Sequence, residues 1–128
     1  MSALVGSGAR ARTRVSATRR HHELVGLSVV DDGEGTVTVT LDGAHLAQGL
    51  VELRRCALHV LPGGTDTLRI DLRGVDHLSS VCVATLLRVK RVCVARRIHL
   101  VLDRPTGRGQ SLLVRTGLRD VLEAGVVP

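Results

Sequence analysis

The feature that most constrains this chain is a repeated change of hydrophobic period. Between Leu27 and Asp103, short stretches in which apolar and polar residues alternate are separated by longer stretches in which apolar residues recur every three or four positions. In "TVTVTL", Val37, Val39 and Leu41 alternate with Thr36, Thr38 and Thr40, the pattern of a β-strand buried on one face. "LSVV" before it, "TLRIDLRGV" and "RIHLVLD" after it read the same way, giving strands near Leu27–Val30, along Leu68, Ile70 and Leu72, and up to Asp103. From Ala44 to Val60, Leu46, Leu50, Leu53, Ala57 and Val60 recur at three and four residues, one face of a helix that Pro62, Gly63 and Gly64 must end. From Ser80 to Arg96 the stripe is Cys82, Leu86, Val89 and Cys93, widened by Val83 and Leu87. "TGRG" reads as a loop, and "QSLLVRTGLRDVLEAG" as a short helix, a break at Gly117 and a last helical turn.

Strands joined through helices imply parallel pairs with right-handed crossovers, whereas the Asp31–Gly35 link suits an antiparallel hairpin. The expected fold is therefore α/β: one domain with a mixed four-stranded sheet and helices mainly on one face. With no Phe, Tyr or Trp in 128 residues, its core must be packed from Val, Leu, Ile and Ala. The same absence removes the stacking platforms on which single-stranded nucleic acid is usually bound.

The net charge of +6 is unevenly placed. Arg10, Arg12, Arg14, Arg19 and Arg20 stand in an acid-free stretch, and the remainder is nearly balanced. Residues 1–22 are thus expected to be a basic, disordered tail and residues 23–128 the domain. The tail has no apolar run of a secretory signal, and no stretch suits membrane insertion, so the expected location is cytoplasmic. A nucleic-acid or membrane-surface binder would have to act through the arginines; no specific nucleic-acid partner is expected.

Chemistry-bearing motifs are sparse. Cys56, Cys82 and Cys93 lack C-x-x-C spacing, so no metal site or disulfide framework is indicated, and Cys82 and Cys93 lie about 16 Å apart along one helix. Ser80, His77 and Asp76 contain the residue types of a hydrolytic triad, but near-neighbours in one turn rarely form a relay and no G-x-S-x-G elbow is present. No catalytic residue, cofactor or enzymatic activity is expected. Ser80, ahead of an apolar helical run, is suited to capping that helix. Cys82, in the first turn, is either a small core hydrophobe or a thiol activated by the helix terminus.

Three pieces together carry a resemblance: "TVTVTLDG", "LRIDLRGVDHLSSVCVATLLRVKRV" and "LLVRTGLRDVL". In this order they resemble the STAS domain family of anti-sigma factor antagonists and related regulators, over about 99 positions from Leu27 to Gly125. The second is similar to the family's strand, Asp-Leu-x-x-Val, then D-S-S-G at a helix entrance, and the third to its closing "LLxxTGLxxxL". The resemblance places Ser79 at the motif's Asp, Ser80 at the serine phosphorylated by a partner kinase, Val81 at the second Ser and Cys82 at the Gly. It implies a non-enzymatic protein-binding regulator in a bacterial partner-switching pathway, with phosphorylation at Ser80 releasing the partner. The implied partner is an anti-sigma factor or serine-kinase-like protein, with a weak homodimer as a further expectation. Its contact surface would be Leu78, Ser79, Ser80, Val81 and Val83, with Asp42, Ala44 and His45 beside it. The alternative within the family is a phosphorylation-independent scaffold or transporter-associated subunit.

Overall fold

A computed structural model describes residues 20–121. Five strands form one sheet in the order β1-β2-β3-β4-β5: Arg20–Leu24, Leu27–Asp31, Thr36–Leu41, Thr67–Asp71 and His99–Asp103. The first three pair antiparallel and the last two join in parallel. Helix α1, Leu46–Arg55, connects β3 to β4, and α2, Ser80–Arg96, connects β4 to β5. Helix α3 spans Gly107–Arg115, and a 3-10 turn follows at Arg119–Val121.

The sheet has five strands rather than four. The additional one, "RHHEL", is polar at four of its five positions and exposed along its whole length, so it carries no alternation to read. It forms because Val25 and Gly26 close a two-residue turn, with Gly26 at φ +82°, which folds Leu24 back onto Leu27. Arg20, His21 and His22, expected in the tail, are therefore the start of a strand. The other tail residues lie outside the described residues, and the helical turn expected after Gly117 begins as the 3-10 turn at Arg119–Val121, its remainder lying outside them as well.

Burial follows the period-2 reading. Val37, Val39 and Leu41 are no more than 2% exposed, while Thr36, Thr38 and Thr40 are half-buried on the opposite face. The buried face meets Leu50 and Leu53 of α1, Cys82, Leu86 and Val89 of α2, and Leu113 of α3 in one hydrophobic cluster. All three helices thus contribute to the core on one face of the sheet. No helix among the described residues is long and apolar enough to cross a membrane.

The helical ends depart from the sequence reading in informative ways. The first helix opens with a 3-10 turn, Gly43–His45, and closes through a π-helical segment, Cys56–Val60, in which Leu61 N–H donates to Cys56 O at 3.2 Å. Arg96 of α2 reaches this end and donates to the carbonyls of Ala57 (2.9 Å) and Leu61 (3.3 Å), which the helix leaves without partners of its own. Helix α3 begins inside the stretch expected to be a loop, because Thr106 Oγ1 accepts from Gly109 N–H at 3.1 Å and caps it.

Candidate functional site

The connection from β4 to α2 is pinned by apolar residues and leaves its polar ones outside. Leu72, Val75 and Leu78 are buried, whereas Arg73, Gly74, Asp76 and His77 are exposed. Leu72 N–H donates to Asp103 O at 2.8 Å, and Val75 N–H to Leu72 O at 2.9 Å, so the chain turns tightly at the end of β4. Ser79 then adopts an extended conformation, φ −83° and ψ 168°, and its Oγ accepts from Cys82 N–H at 3.2 Å.

The helix cap is therefore Ser79, not Ser80. Ser80 is the first helical residue, exposed, and no hydrogen bond within the described residues engages its hydroxyl. The first turn of α2 contains no acidic side chain. A negative charge on Ser80 Oγ would lie beside unpaired N–H groups at the positive end of the helix dipole, which tolerates it.

The neighbouring residues divide into supports and surface. Val81 is 65% exposed, so Ser80 and Val81 together form the accessible part of the entrance. Leu78 and Val83, expected in the contact surface, are each only 7% exposed and belong to the hydrophobic cluster. They aim the entrance rather than present themselves to a partner. Helical geometry explains the split, because Val83 lies on the same stripe as Leu86 and Val81 does not.

The Asp42–His45 segment approaches this connection at Gly74. A Cβ on Gly43 would collide with Gly74 O, so the two loops touch backbone to backbone. Asp42 Oδ1 accepts from Ala44 N–H at 2.9 Å, and Asp42 Oδ2 lies 3.3 Å from His45 Nδ1. The Ala44 N–H bond, then the His45 interaction, hold the Asp42 carboxyl below its usual range. The contact is with Gly74, six positions ahead of Ser80.

A third component was not legible in the sequence. A Cβ on Gly109 would come within 2.8 Å of Leu78 Cδ1, so the first turn of α3 lies directly against the α2 entrance. At the same end of the sheet, Asp71 and Asp103 stand opposite each other on β4 and β5 and are nearly buried. Asp71 Oδ2 is 3.3 Å from Arg73 Nε, and Asp103 Oδ2 is 3.3 Å from Arg69 Nη1. The available signal was a carboxylate ending each strand, followed at once or two positions later by arginine.

Other candidate chemistry is not assembled. Asp76, His77 and Ser80 share no hydrogen bond, so no proton relay links them. Cys82 is 0% exposed, and burial pushes its thiol from 9.0 up to about 11, the opposite of activation. Among the described residues no group of three or more His, Cys, Asp or Glu side chains could hold a metal ion.

At the α2 entrance Ser80 presents an exposed hydroxyl with no hydrogen bond among the described residues. Comparison with curated proteins finds no match. A family model described as the Mlab STAS domain matches residues 28–125, which takes in every element from β2 onward together with the α2 entrance. The chain belongs to the STAS domain family.

Proposed function

We propose that this STAS domain is a non-enzymatic protein-binding regulator of the anti-sigma factor antagonist type, switched by phosphorylation of Ser80. The observation that carries the reading is the division of labour between the two serines. Ser79 holds the helix, which leaves the Ser80 hydroxyl exposed and unbonded beside exposed Val81. A dianionic group there changes what a partner meets without breaking any internal contact. The proposed partner is an anti-sigma factor or serine-kinase-like protein that seats on Ser80 and Val81, with the Asp42–His45 loop at the side.

A second reading, a phosphorylation-independent scaffold or transporter-associated subunit, is favoured by a different observation. The Asp and Gly of the phosphorylated motif are replaced by Ser79 and Cys82, and the Cys82 side chain is fully buried in the core beneath the entrance. One variant separates the two. Capture from native cytosol with wild type, Ser80→Ala and Ser80→Asp should retain a serine-kinase-like protein on the first two and weaken its affinity for Ser80→Asp at least about tenfold, with unfolding unchanged. Equal affinity for folded Ser80→Asp would sink the switch and leave the scaffold reading.

A further inference from the structure

The far edge of the sheet has a different character from the site. Strand β1 pairs with β2 on one side, and among the described residues nothing pairs with its other side. Natural sheet edges are usually blunted by a bulge, a proline or a lysine. Over its five residues this one has no bulge, proline or lysine, only the charges of Arg20 and Glu23, and its register with β2 runs unbroken from Arg20↔Asp31 to Leu24↔Leu27.

Which groups the edge offers follows from the turn. Residues that close a two-residue hairpin form a hydrogen-bonded pair, so Leu24, His22 and Arg20 spend their backbone groups on β2. His21 and Glu23 consequently direct N–H and C=O outward. In an antiparallel contact between two such edges, outward residues must face outward residues. A two-fold axis through His22 achieves this, placing His21 opposite Glu23 of the other copy, twice. Axes through His21 or Glu23 also match the hydrogen bonds, but they put His21 against His21 or Glu23 against Glu23. Only the axis through His22 sets an imidazole against a carboxylate at both places.

The side chains beside the edge divide between the two faces of the sheet. Within one chain, His21 Nε2 lies 2.7 Å from Glu23 Oε2, and Ser28 Oγ donates to that oxygen at 3.1 Å, all on the face away from the helices. On the helix side, Leu24, Val25, Val51 and Val60 are 41%, 56%, 68% and 61% exposed. They border the hollows between β1 and α1 and make up four of the seven exposed large apolar residues described. In the register about His22, Leu24 lies opposite Arg20 of the other copy and His22 opposite His22, so the apolar margins of the two copies flank opposite ends of the new strand pair.

We propose that β1 is the contact surface between two copies of this chain, joined antiparallel about His22 into a continuous ten-stranded sheet. The contact is independent of the Ser80 reading, because it uses the opposite edge of the sheet. Sedimentation equilibrium of the full chain should show a concentration-dependent monomer–dimer equilibrium. His21→Glu, which sets carboxylate against carboxylate, and Glu23→Lys, which removes the acceptor that His21 faces, should each weaken dimerisation about tenfold or more. The double variant carrying both changes sets a lysine opposite a glutamate at both places and should recover most of the affinity. Glu23→Pro, which removes an outward N–H and leaves the bonds to β2, should also weaken it. Far-UV circular dichroism is expected to stay unchanged throughout, since both side chains are exposed. A species of monomer mass at every soluble concentration overturns the proposal. A dimer indifferent to both single charge changes, or one the double variant does not restore, overturns it as well.

Discussion

Adjacent serines at 79 and 80 have opposite energetic roles, although they are chemically identical and one position apart. The Ser79 hydroxyl satisfies the N–H of Cys82, one of the donors a helix start leaves without partners. Its loss should cost about 1 kcal/mol, and Ser79→Asp should recover it because a carboxylate caps equally well. Ser80 makes no such bond, so Ser80→Ala should fall within about 0.5 kcal/mol of wild type. Urea unfolding of the three variants checks this. A larger loss for Ser80→Ala than for Ser79→Ala would reverse the assignment and make the accessible hydroxyl Ser79. The sequence located the helix start correctly at Ser80, yet placed the cap one residue late. The reason is physical: the cap is the last residue with non-helical dihedral angles, and only backbone geometry tells it from the first helical residue.

At the scale of elements, close approach governs what side-chain patterning does not record. Gly49 sits in α1, where alanine is the better helix former by about 1 kcal/mol. A Cβ on Gly49 would nevertheless collide with Gly26 O, because the β1–β2 turn packs backbone to backbone against this helix. Gly49→Ala should therefore destabilise the protein by about 1–3 kcal/mol, the opposite sign to that of an exposed helical glycine, with thermal unfolding as the measurement. The elements best read from sequence were those whose burial is periodic. Strand β3 and helix α2 emerged at Thr36–Leu41 and Ser80–Arg96, as the spacing of their apolar residues required. Strand β1 escaped because nothing on it is buried, and the start of α3 because two glycines in "TGRG" resemble a loop while the Thr106 bond holds them in a helix. In the site, the entrance and the neighbouring 42–45 loop were legible, but the inward aim of Leu78 and Val83 and the approach of Gly109 depend on how helices pack. Patterns along one chain do not encode those distances.

For the whole molecule, an aromatic-free core raises the question of whether the two sides of the sheet's helical layer unfold together. One hydrophobic cluster contains residues of β2 through β5 and of all three helices, so no boundary of low contact divides it. Removing Leu86, fully buried at the middle of α2, should cost about 2–5 kcal/mol out of a total that for such domains is about 5–15. The cysteines supply the probe that the absent aromatics do not, because Cys56 closes the α1 side while Cys82 and Cys93 lie along α2, all buried. Burial raises the Cys82 and Cys93 thiols from 9.0 to about 11, so the fold favours their protonated form. The unfolded chain ionises first, so this contribution is complete below about 9 and is lost as pH rises towards about 11. Stability should accordingly decline in that alkaline range. At neutral pH, thiol labelling should be slow in the native state and should accelerate along the same urea transition that far-UV circular dichroism records, with Leu86→Ala moving both midpoints equally. If Cys56 reacted at a lower urea concentration than Cys82 and Cys93, α1 with its π-helical end would be opening separately, and the shared cluster would not be a single cooperative core.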